Sequence, residues 1–144
     1  MTEGNGLSIS VFFPAYNDEK SIVAMVDTAM AVLGKHSPDF EVIVVNDGSQ
    51  DGTPAVLEGL QGKYGPYLKV VTHETNRGYG AALRSGFRAA SKEFVFYTDG
   101  DGQYDVSELP RLIDLMDSDV GLVNGYKLAG SVADRIARKS VRDE

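Results

Sequence analysis

The feature that most constrains the fold is the stretch at residues 40–45, Phe-Glu-Val-Ile-Val-Val, which is almost all apolar and largely β-branched. Such a strand is typical of a parallel sheet that is covered by helices on both faces. Further apolar runs lie at residues 7–13, 68–72, 94–98 and 120–124, with polar and helical segments between them. Strands that alternate with helices predict an α/β fold with a mostly parallel sheet and right-handed crossovers.

The segments between these strands have the spacing of helices. For example, apolar side chains recur three and four positions apart before Gly34, which is a typical stop signal. The predicted helices cover residues 19–33, 53–63, 79–91, 107–116 and 131–140. The whole chain of 144 residues is expected to form one domain, with its α/β core at residues 7–126 and a basic C-terminal helix or tail at residues 127–144.

The charge distribution limits the classes of partner. A net charge of −7 argues against a general nucleic-acid binder, because phosphate backbones require a basic face. Residues 127–144 nevertheless carry a net charge of +2, which leaves −9 on the rest of the chain. This basic end indicates either an anionic partner, such as a membrane surface or a phosphate, or a solvated terminal helix, and the sequence leaves both readings open.

Polar loops follow the predicted strands at residues 14–19, 46–53, 76–80 and 99–103. In an open parallel sheet, ligands bind beyond the carboxyl ends of the strands, so these loops are expected to meet. The last loop reads Asp-Gly-Asp-Gly-Gln and places two carboxylates and an amide oxygen at a strand end. Oxygen ligands of this kind suit Mg²⁺ or Mn²⁺, and such an ion would neutralise a departing diphosphate.

Taken singly, each of these loops is better explained as a turn or a helix cap, but four of them at one edge favour a ligand site. An EF-hand is excluded because Pro54 stands where that loop needs an apolar strand residue. A dinucleotide fingerprint is excluded because Leu83 stands in place of its third glycine.

The four loop sequences, in this order, resemble those of family 2 inverting glycosyltransferases. They are Pro-Ala-Tyr-Asn-Asp-Glu at 14–19, Asn-Asp-Gly-Ser-Gln-Asp-Gly-Thr at 46–53, Asn-Arg-Gly-Tyr-Gly at 76–80 and Asp-Gly-Asp-Gly-Gln at 99–103. Within the family, the dolichyl- or polyprenyl-phosphate sugar synthases are the most similar branch. The resemblance covers nearly the whole chain.

This resemblance implies a GT-A fold, Rossmann-like, that binds a nucleotide-diphosphate sugar with Mg²⁺ or Mn²⁺. It assigns catalytic roles to Asp99 and Asp101, and it makes Asp99, Asp101 and Gln103 the metal ligands of a DXD motif. The family usually has glutamate at the position of Asp18, so Asp18 and Glu19 are both candidates for that role. The expected nucleotide-sugar-binding residues are Pro14, Ala15, Tyr16, Asp18, Glu19, Val45, Asp47, Gly78, Asp99, Gly100, Asp101 and Lys127.

The implied reaction transfers a sugar, with inversion, from a UDP- or GDP-linked donor to a polyprenyl or dolichyl phosphate in cell-envelope glycan synthesis. Lys127 stands where the family has arginine and keeps the charge without the guanidinium fork. The basic residues 127–142 are expected to contact the lipid phosphate or the membrane surface. The expected location of the protein is the cytoplasm, or the cytoplasmic face of the membrane. A homodimer is also expected, because an incomplete sheet exposes an edge.

Members of the family usually continue beyond the length of this chain, so it is expected to be C-terminally truncated and to lack most of the acceptor half. The alternative function is therefore a non-catalytic nucleotide-sugar-binding module or fragment. The intact Asp99, Asp101 and Gln103 favour the enzyme. A nucleotidyltransferase is disfavoured, because residues 14–19 contain no glycine- and arginine-rich phosphate loop.

Overall fold

The computed structural model describes residues 8–102, 105–114, 122–124 and 135–138. Short 3-10 helices at Gly65–Tyr67 and Val106–Glu108 precede a strand and a helix respectively. The strands and α-helices of the described residues are, in chain order, β1 (Ser8–Ala15), α1 (Ile22–His36), β2 (Asp39–Asp47), α2 (Thr53–Tyr64), β3 (Leu68–His73), α3 (Tyr79–Ala89), β4 (Phe94–Tyr97), α4 (Leu109–Ile113), β5 (Leu122–Asn124) and β6 (Arg135–Arg138).

The strands form one sheet in the order β3-β2-β1-β4-β6-β5. Strands β3, β2, β1 and β4 run parallel, whereas β6 is antiparallel to both β4 and β5. The predicted mostly parallel α/β sheet is therefore confirmed. The β1–β2 register ends at Ala15↔Asn46 and the β2–β3 register at Asp47↔His73, so these strands end at the same edge.

Helices cover both faces of the sheet, as the uniformly apolar strands predict. On one face, Val11 and Phe13 of β1 belong to a core that includes buried residues of α1, α2 and α4. On the other face, Phe12 packs with Val45, Tyr97 and residues of α3. The rings of Phe12 and Tyr97 stack with their centroids 5.2 Å apart. Alternate residues of β1 thus serve two separate cores and fix its position in the sheet.

The helix predicted over residues 131–140 is wrong where the structure describes that stretch. Arg135–Arg138 is strand β6, which pairs with β4 from Phe94↔Arg138 to Tyr97↔Arg135. An unpaired edge of β4 offers N–H and C=O groups to any strand that can align with it, and this non-local pairing overrides a weak local helix preference. The rest of 131–140, and residues 115 and 116 at the end of the helix predicted over 107–116, lie outside the described residues.

No helix in the described part of the chain has both the length and the apolar character that a membrane crossing requires.

Candidate functional site

A cleft of about 290 Å³ opens where the loops after β1, β2, β3 and β4 meet. Its position at the carboxyl edge of the parallel strands is the usual place for a ligand in an open α/β sheet. The predicted site residues that line it are Pro14, Ala15, Tyr16, Asp18, Asp47, Gly78, Asp99 and Asp101. The structure therefore brings together side chains from four separate loops of the sequence.

The loop after β1 is tied to the loop after β2 by hydrogen bonds between backbone and side chains. The Asn17 N–H donates to Ser49 Oγ at 2.9 Å, and the Gln50 N–H donates to Asn17 Oδ1 at 2.9 Å. The Asp18 N–H donates to Thr53 Oγ1 at 3.1 Å. Asn17 has a φ of 56°, a left-handed conformation that asparagine adopts more readily than most residues. These bonds hold the first cleft loop in one shape.

The structure separates the two candidate carboxylates of this loop. Asp18 lines the cleft, and its Oδ2 accepts the Tyr16 N–H at 3.0 Å. Glu19 instead points to the neighbouring loop, where its Oε1 accepts the Gly52 N–H at 2.7 Å. Glu19 therefore holds two loops together, and Asp18 is the carboxylate in a position to meet a ligand.

Negative charge accumulates in the cleft. All the charged residues among its described lining residues are acidic, namely Asp18, Asp47, Asp99 and Asp101. Burial, and then the nearby charges of Asp101, Asp51 and Asp99, raise the pKa of Asp18 above its usual value, although the Tyr16 N–H acts against the shift. A cation in the cleft would relieve this repulsion.

The donor set fits a hard divalent cation. Asp99 and Asp101 are exposed side chains on either side of Gly100, and carboxylate oxygens are preferred by Mg²⁺ and Mn²⁺. Among the described residues, no group of three or more His, Cys, Asp or Glu side chains could hold a metal ion. Ions of this type commonly complete their coordination with water and substrate phosphates, so a pair of carboxylates is an adequate protein contribution.

The backbone of Gly100 fixes where these two carboxylates stand. Its N–H donates to the Pro14 carbonyl oxygen at 2.9 Å, and its carbonyl oxygen accepts Ser21 Oγ–H at 2.6 Å. A Cβ atom added at Gly100 would lie 3.1 Å from Ile22 Cδ1 and 3.2 Å from the Pro14 oxygen. A larger residue would therefore push the Asp99–Asp101 turn away from β1.

Asp47 is the most buried carboxylate of the cleft. Its oxygens accept the N–H groups of Arg77 at 2.8 Å and Gly78 at 3.1 Å, and His73 Nδ1 lies 2.8 Å from Oδ1. Burial would raise the pKa of Asp47, but the hydrogen bonds from Arg77, His73 and Gly78 outweigh it and hold the pKa below its usual range. Asp47 thus stays ionised and anchors the turn that begins α3.

Some predicted site residues do not reach the cleft. Val45 lies in the core between β2 and α3 with no exposed surface, and Gly100 contributes only backbone. Gln103 and Lys127 lie outside the described residues. Conversely, Asn76, Tyr79 and Ala82 line the cleft although they were not predicted. Asn76 and Tyr79 belong to the loop at 76–80, but its sequence does not indicate which side chains face inward.

Comparison with known proteins identifies the family of this chain. Residues 10–139 match the profile of Glycosyl transferase family 2. The chain belongs to this family. Within the family, it is 32% identical over 124 residues to the undecaprenyl-phosphate 4-deoxy-4-formamido-L-arabinose transferase of Aeromonas hydrophila, covering 86% of this chain and 36% of that protein. It is 39% identical over 108 residues to the dolichyl-phosphate beta-glucosyltransferase of Drosophila melanogaster, covering 71% and 33%.

Solved structures confirm the GT-A fold of this family 2 chain. A mannosyltransferase from Pyrobaculum calidifontis in complex with GDP-Man and Mn²⁺ matches with a TM-score of 0.69 and 28% identity, covering 82% of this chain and 35% of that one. Glucosyl-3-phosphoglycerate synthase from Mycobacterium tuberculosis, in complex with Mn²⁺, UDP and phosphoglyceric acid, matches with a TM-score of 0.65 and 26% identity, covering 83% and 43%. The chain spans about a third of the length of the Aeromonas and Drosophila relatives.

Proposed function

We propose that this chain is the donor-binding part of a family 2 glycosyltransferase, and that its cleft binds a nucleotide-diphosphate sugar together with Mg²⁺ or Mn²⁺. The observation that carries the proposal is the convergence of four carboxylates and an exposed tyrosine at the carboxyl edge of four parallel strands. Structural neighbours that contain GDP-Man and Mn²⁺, or UDP and Mn²⁺, support it.

The nucleoside would occupy the side of the cleft formed by the loops after β1 and β2. Tyr16 is 46% exposed and offers a ring face on which a base can stack. Asp18 and Asp47 line the same cleft and can accept hydrogen bonds from the ribose or the base. The bonds between the two loops keep these groups in place before a ligand arrives, which reduces the entropic cost of binding.

The diphosphate would lie at the end of β4. Asp99 and Asp101 would hold the divalent ion, with Gln103 as a further ligand, and Gly100 keeps the two carboxylates at a fixed place against β1. When bound, the ion would neutralise negative charge on the departing nucleoside diphosphate. The carboxylates also make the cleft unfavourable for a phosphate group that arrives without a cation.

The proposed reaction is an inverting displacement at the anomeric carbon of the sugar. An oxygen of the acceptor forms a bond to this carbon while the bond to the nucleoside diphosphate breaks on the opposite side. We infer a polyprenyl or dolichyl phosphate as acceptor, because the relatives are named for such lipids. A phosphate acceptor is already anionic and needs no strong general base. Lys127 and the basic residues up to 142 would attract it.

The test is calorimetric titration of UDP and GDP into the chain, with Mn²⁺ at equal concentration in cell and syringe or absent from both. We expect one nucleoside diphosphate to bind only with Mn²⁺. Asp101→Asn should weaken that binding at least tenfold, because it removes one of the two carboxylates that would hold the ion. The matched control is Asp114→Asn, an exposed aspartate after α4 that does not line the cleft.

Loss of Mn²⁺-dependent binding in Asp101→Asn, with Asp114→Asn unchanged, would support the assignment of the metal to the end of β4. Unchanged binding in Asp101→Asn would refute it. Failure of the wild-type chain to bind either nucleotide would refute the proposed function as a whole.

A further inference from the structure

The outer surface of α3 carries a row of arginines, which we call the basic row: Arg77, Arg84 and Arg88. Arg84 and Arg88 are exposed and lie one helical turn apart, and Arg77 is exposed just before the helix begins. Residues 75–92 contain four basic side chains and no acidic one, although the net charge of the chain is −7. The segment that contains α3 is therefore a basic surface on an acidic protein.

The basic row is not neutralised within the part of the chain that the structure describes. None of its three arginines forms an ion pair there, whereas Lys92, just after the helix, pairs with Asp39 at 2.7 Å. Two like charges four positions apart on a helix repel each other, and an acid at such a spacing would relieve this repulsion. Because α3 has no acidic residue, the arrangement favours an anion that comes from outside the described chain.

The two arginines on α3 point away from the sheet. Ala82 and Gly86 are buried on the side of α3 that packs against it, and a Cβ atom added at Gly86 would collide with the ring of Phe12. With about 3.6 residues per turn, Arg84 and Arg88 lie on the opposite side of the helix. Among the described helices, α3 alone packs on this face, since α1, α2 and α4 cover the other. The basic row thus lies on an outer surface.

The basic row begins at the mouth of the cleft. Gly78 and Tyr79 line the cleft, and Arg77 directly precedes them. Arg88 lies about 14 Å further along the helix than Tyr79. The Tyr79 side chain is 53% exposed, and tyrosine is enriched where proteins meet the headgroup region of a membrane. A flat anionic partner that contacts the length of α3 therefore also comes close to the cleft.

We propose that the basic row docks the chain on a membrane surface that carries anionic lipid headgroups, with the mouth of the cleft beside those headgroups. Arginine binds phosphate oxygens through paired hydrogen bonds, and each basic side chain near an anionic membrane adds to the attraction. The choice of a lipid surface over another polyanion rests on the proposed function, which gives the chain a lipid phosphate as acceptor. The basic row is separate in sequence from the basic residues 127–142 and is a contact additional to theirs.

The experiment is sedimentation of the chain, without nucleotide, with vesicles of phosphatidylcholine alone or of phosphatidylcholine and phosphatidylglycerol in equal parts. We expect binding only to the anionic vesicles, and we expect salt to weaken it, because the charges are exposed. Arg84→Gln combined with Arg88→Gln should weaken the binding at least tenfold. The matched control, Lys35→Gln combined with Arg111→Gln, removes the same charge from exposed positions on α1 and α4 and should leave the binding nearly unchanged.

A fluorescent label tests which surface meets the membrane. The chain contains no cysteine, so Ala81→Cys provides a single attachment site, three positions before Arg84 and seven before Arg88 on the same side of α3. An environment-sensitive fluorophore at this site should shift to shorter wavelength when the anionic vesicles are added. The same fluorophore on Val23→Cys, an exposed position on α1, should not shift.

Each outcome decides the inference. Failure of the wild-type chain to bind the anionic vesicles, or equal binding by the Arg84→Gln and Arg88→Gln variant, would overturn it. If only Lys139→Gln combined with Arg142→Gln abolishes the binding, the contact belongs to the C-terminal end and the inference is wrong. Binding to heparin without binding to the vesicles would assign the basic row to another polyanion and would also overturn it.

The nucleotide titration described above separates this inference from the proposed function. Mn²⁺-dependent binding of a nucleoside diphosphate without binding to the anionic vesicles would overturn the docking surface and leave the proposed function standing. Vesicle binding that depends on Arg84 and Arg88, in a chain that binds no nucleotide, would support the docking surface and refute the proposed function.

Discussion

Glu41 is a buried carboxylate near the start of β2, away from the cleft at the other end of that strand. Its Oε1 pairs with Lys69 Nζ at 2.7 Å, and its Oε2 accepts Ser10 Oγ–H at 2.6 Å and the Ser91 N–H at 2.6 Å. Burial would raise the pKa of Glu41, but the hydrogen bonds from Lys69, Ser10 and Ser91 together lower it to about 2.

The lowered pKa of Glu41 predicts an acid-dependent loss of stability. The ionised carboxylate stabilises the folded state fully above its unfolded pKa of about 4.5, and this contribution disappears as the pH falls towards 2. The shift corresponds to a loss on the order of 3 kcal/mol in the free energy of unfolding. Urea unfolding at several pH values between 5 and 2.5 measures it.

The control for this prediction is a pair of variants. Glu41→Gln should be less stable at neutral pH and show a much weaker dependence of stability on pH below 4.5. Glu58→Gln, at an exposed position on α2, should retain the wild-type dependence. A Glu41→Gln variant whose stability falls with acid as steeply as that of the wild type would contradict the assignment.

For single residues, the sequence predicts which chemical groups lie near the site better than it predicts which way each side chain points. The carboxylates of the cleft follow from loops at strand ends, and Asp18, Asp47, Asp99 and Asp101 all line it. Which of Asp18 and Glu19 faces the cleft is not predictable, because Glu19 is held away from it by the Gly52 N–H, which belongs to another loop. The network of Asp47, His73 and Ser85 joins β2, β3 and α3, and no spacing along the chain reveals it.

At the scale of elements, the conformation of the loop after β2 and its close contact with the loop after β3 require one glycine. Gly48 has a φ of 75°, and a Cβ atom there would collide with the backbone of Thr75 and Asn76 in the loop after β3. Gly48→Ala is therefore expected to destabilise the chain by about 2 kcal/mol and to separate the two loops. Urea unfolding measures the first effect, and weaker nucleotide binding would report the second.

Gly62 provides the matched control for Gly48. It lies in α2, and a Cβ atom added there meets nothing within 4 Å. Gly62→Ala should leave nucleotide binding unchanged and stabilise the chain by up to about 1 kcal/mol, because alanine favours the helix. Equal effects of the two substitutions would show that the close approach at Gly48 does not matter.

The described elements show which parts of the fold can be predicted from local sequence patterns and which cannot. Strands β1 to β4 and helices α1 to α3 follow from apolar periodicity and stop signals, and each is found close to its predicted place. Strand β6 does not follow, because Arg135–Arg138 is short and one of the two strands with which it pairs, β4, lies about 40 residues earlier. Local propensity contains no information about an edge that becomes available only after the sheet has formed.

For the whole molecule, we predict that stability and ligand binding are coupled. A nucleoside diphosphate with Mn²⁺ that binds only the folded chain, at about 100 times its Kd, stabilises it by about 2.7 kcal/mol. For a chain of this size, the unfolding midpoint should rise by roughly 5–15 °C. Thermal unfolding followed by circular dichroism measures this rise, and EDTA should abolish it. If the unfolding midpoint still rises in EDTA, the nucleotide binds without the metal, and the proposed metal dependence is wrong.

Paramagnetic broadening in an assigned NMR spectrum would locate the divalent ion that we propose at the end of β4, beside the nucleotide. Substoichiometric Mn²⁺, added with UDP, should broaden the amide signals of Asp99–Gly102 first, together with those of Tyr16 and Asp18. Signals of Ser91 and Lys92, before the opposite end of β4, should stay sharp. Equal broadening at both ends of the strand, or broadening centred elsewhere, would contradict a metal site at the end of β4.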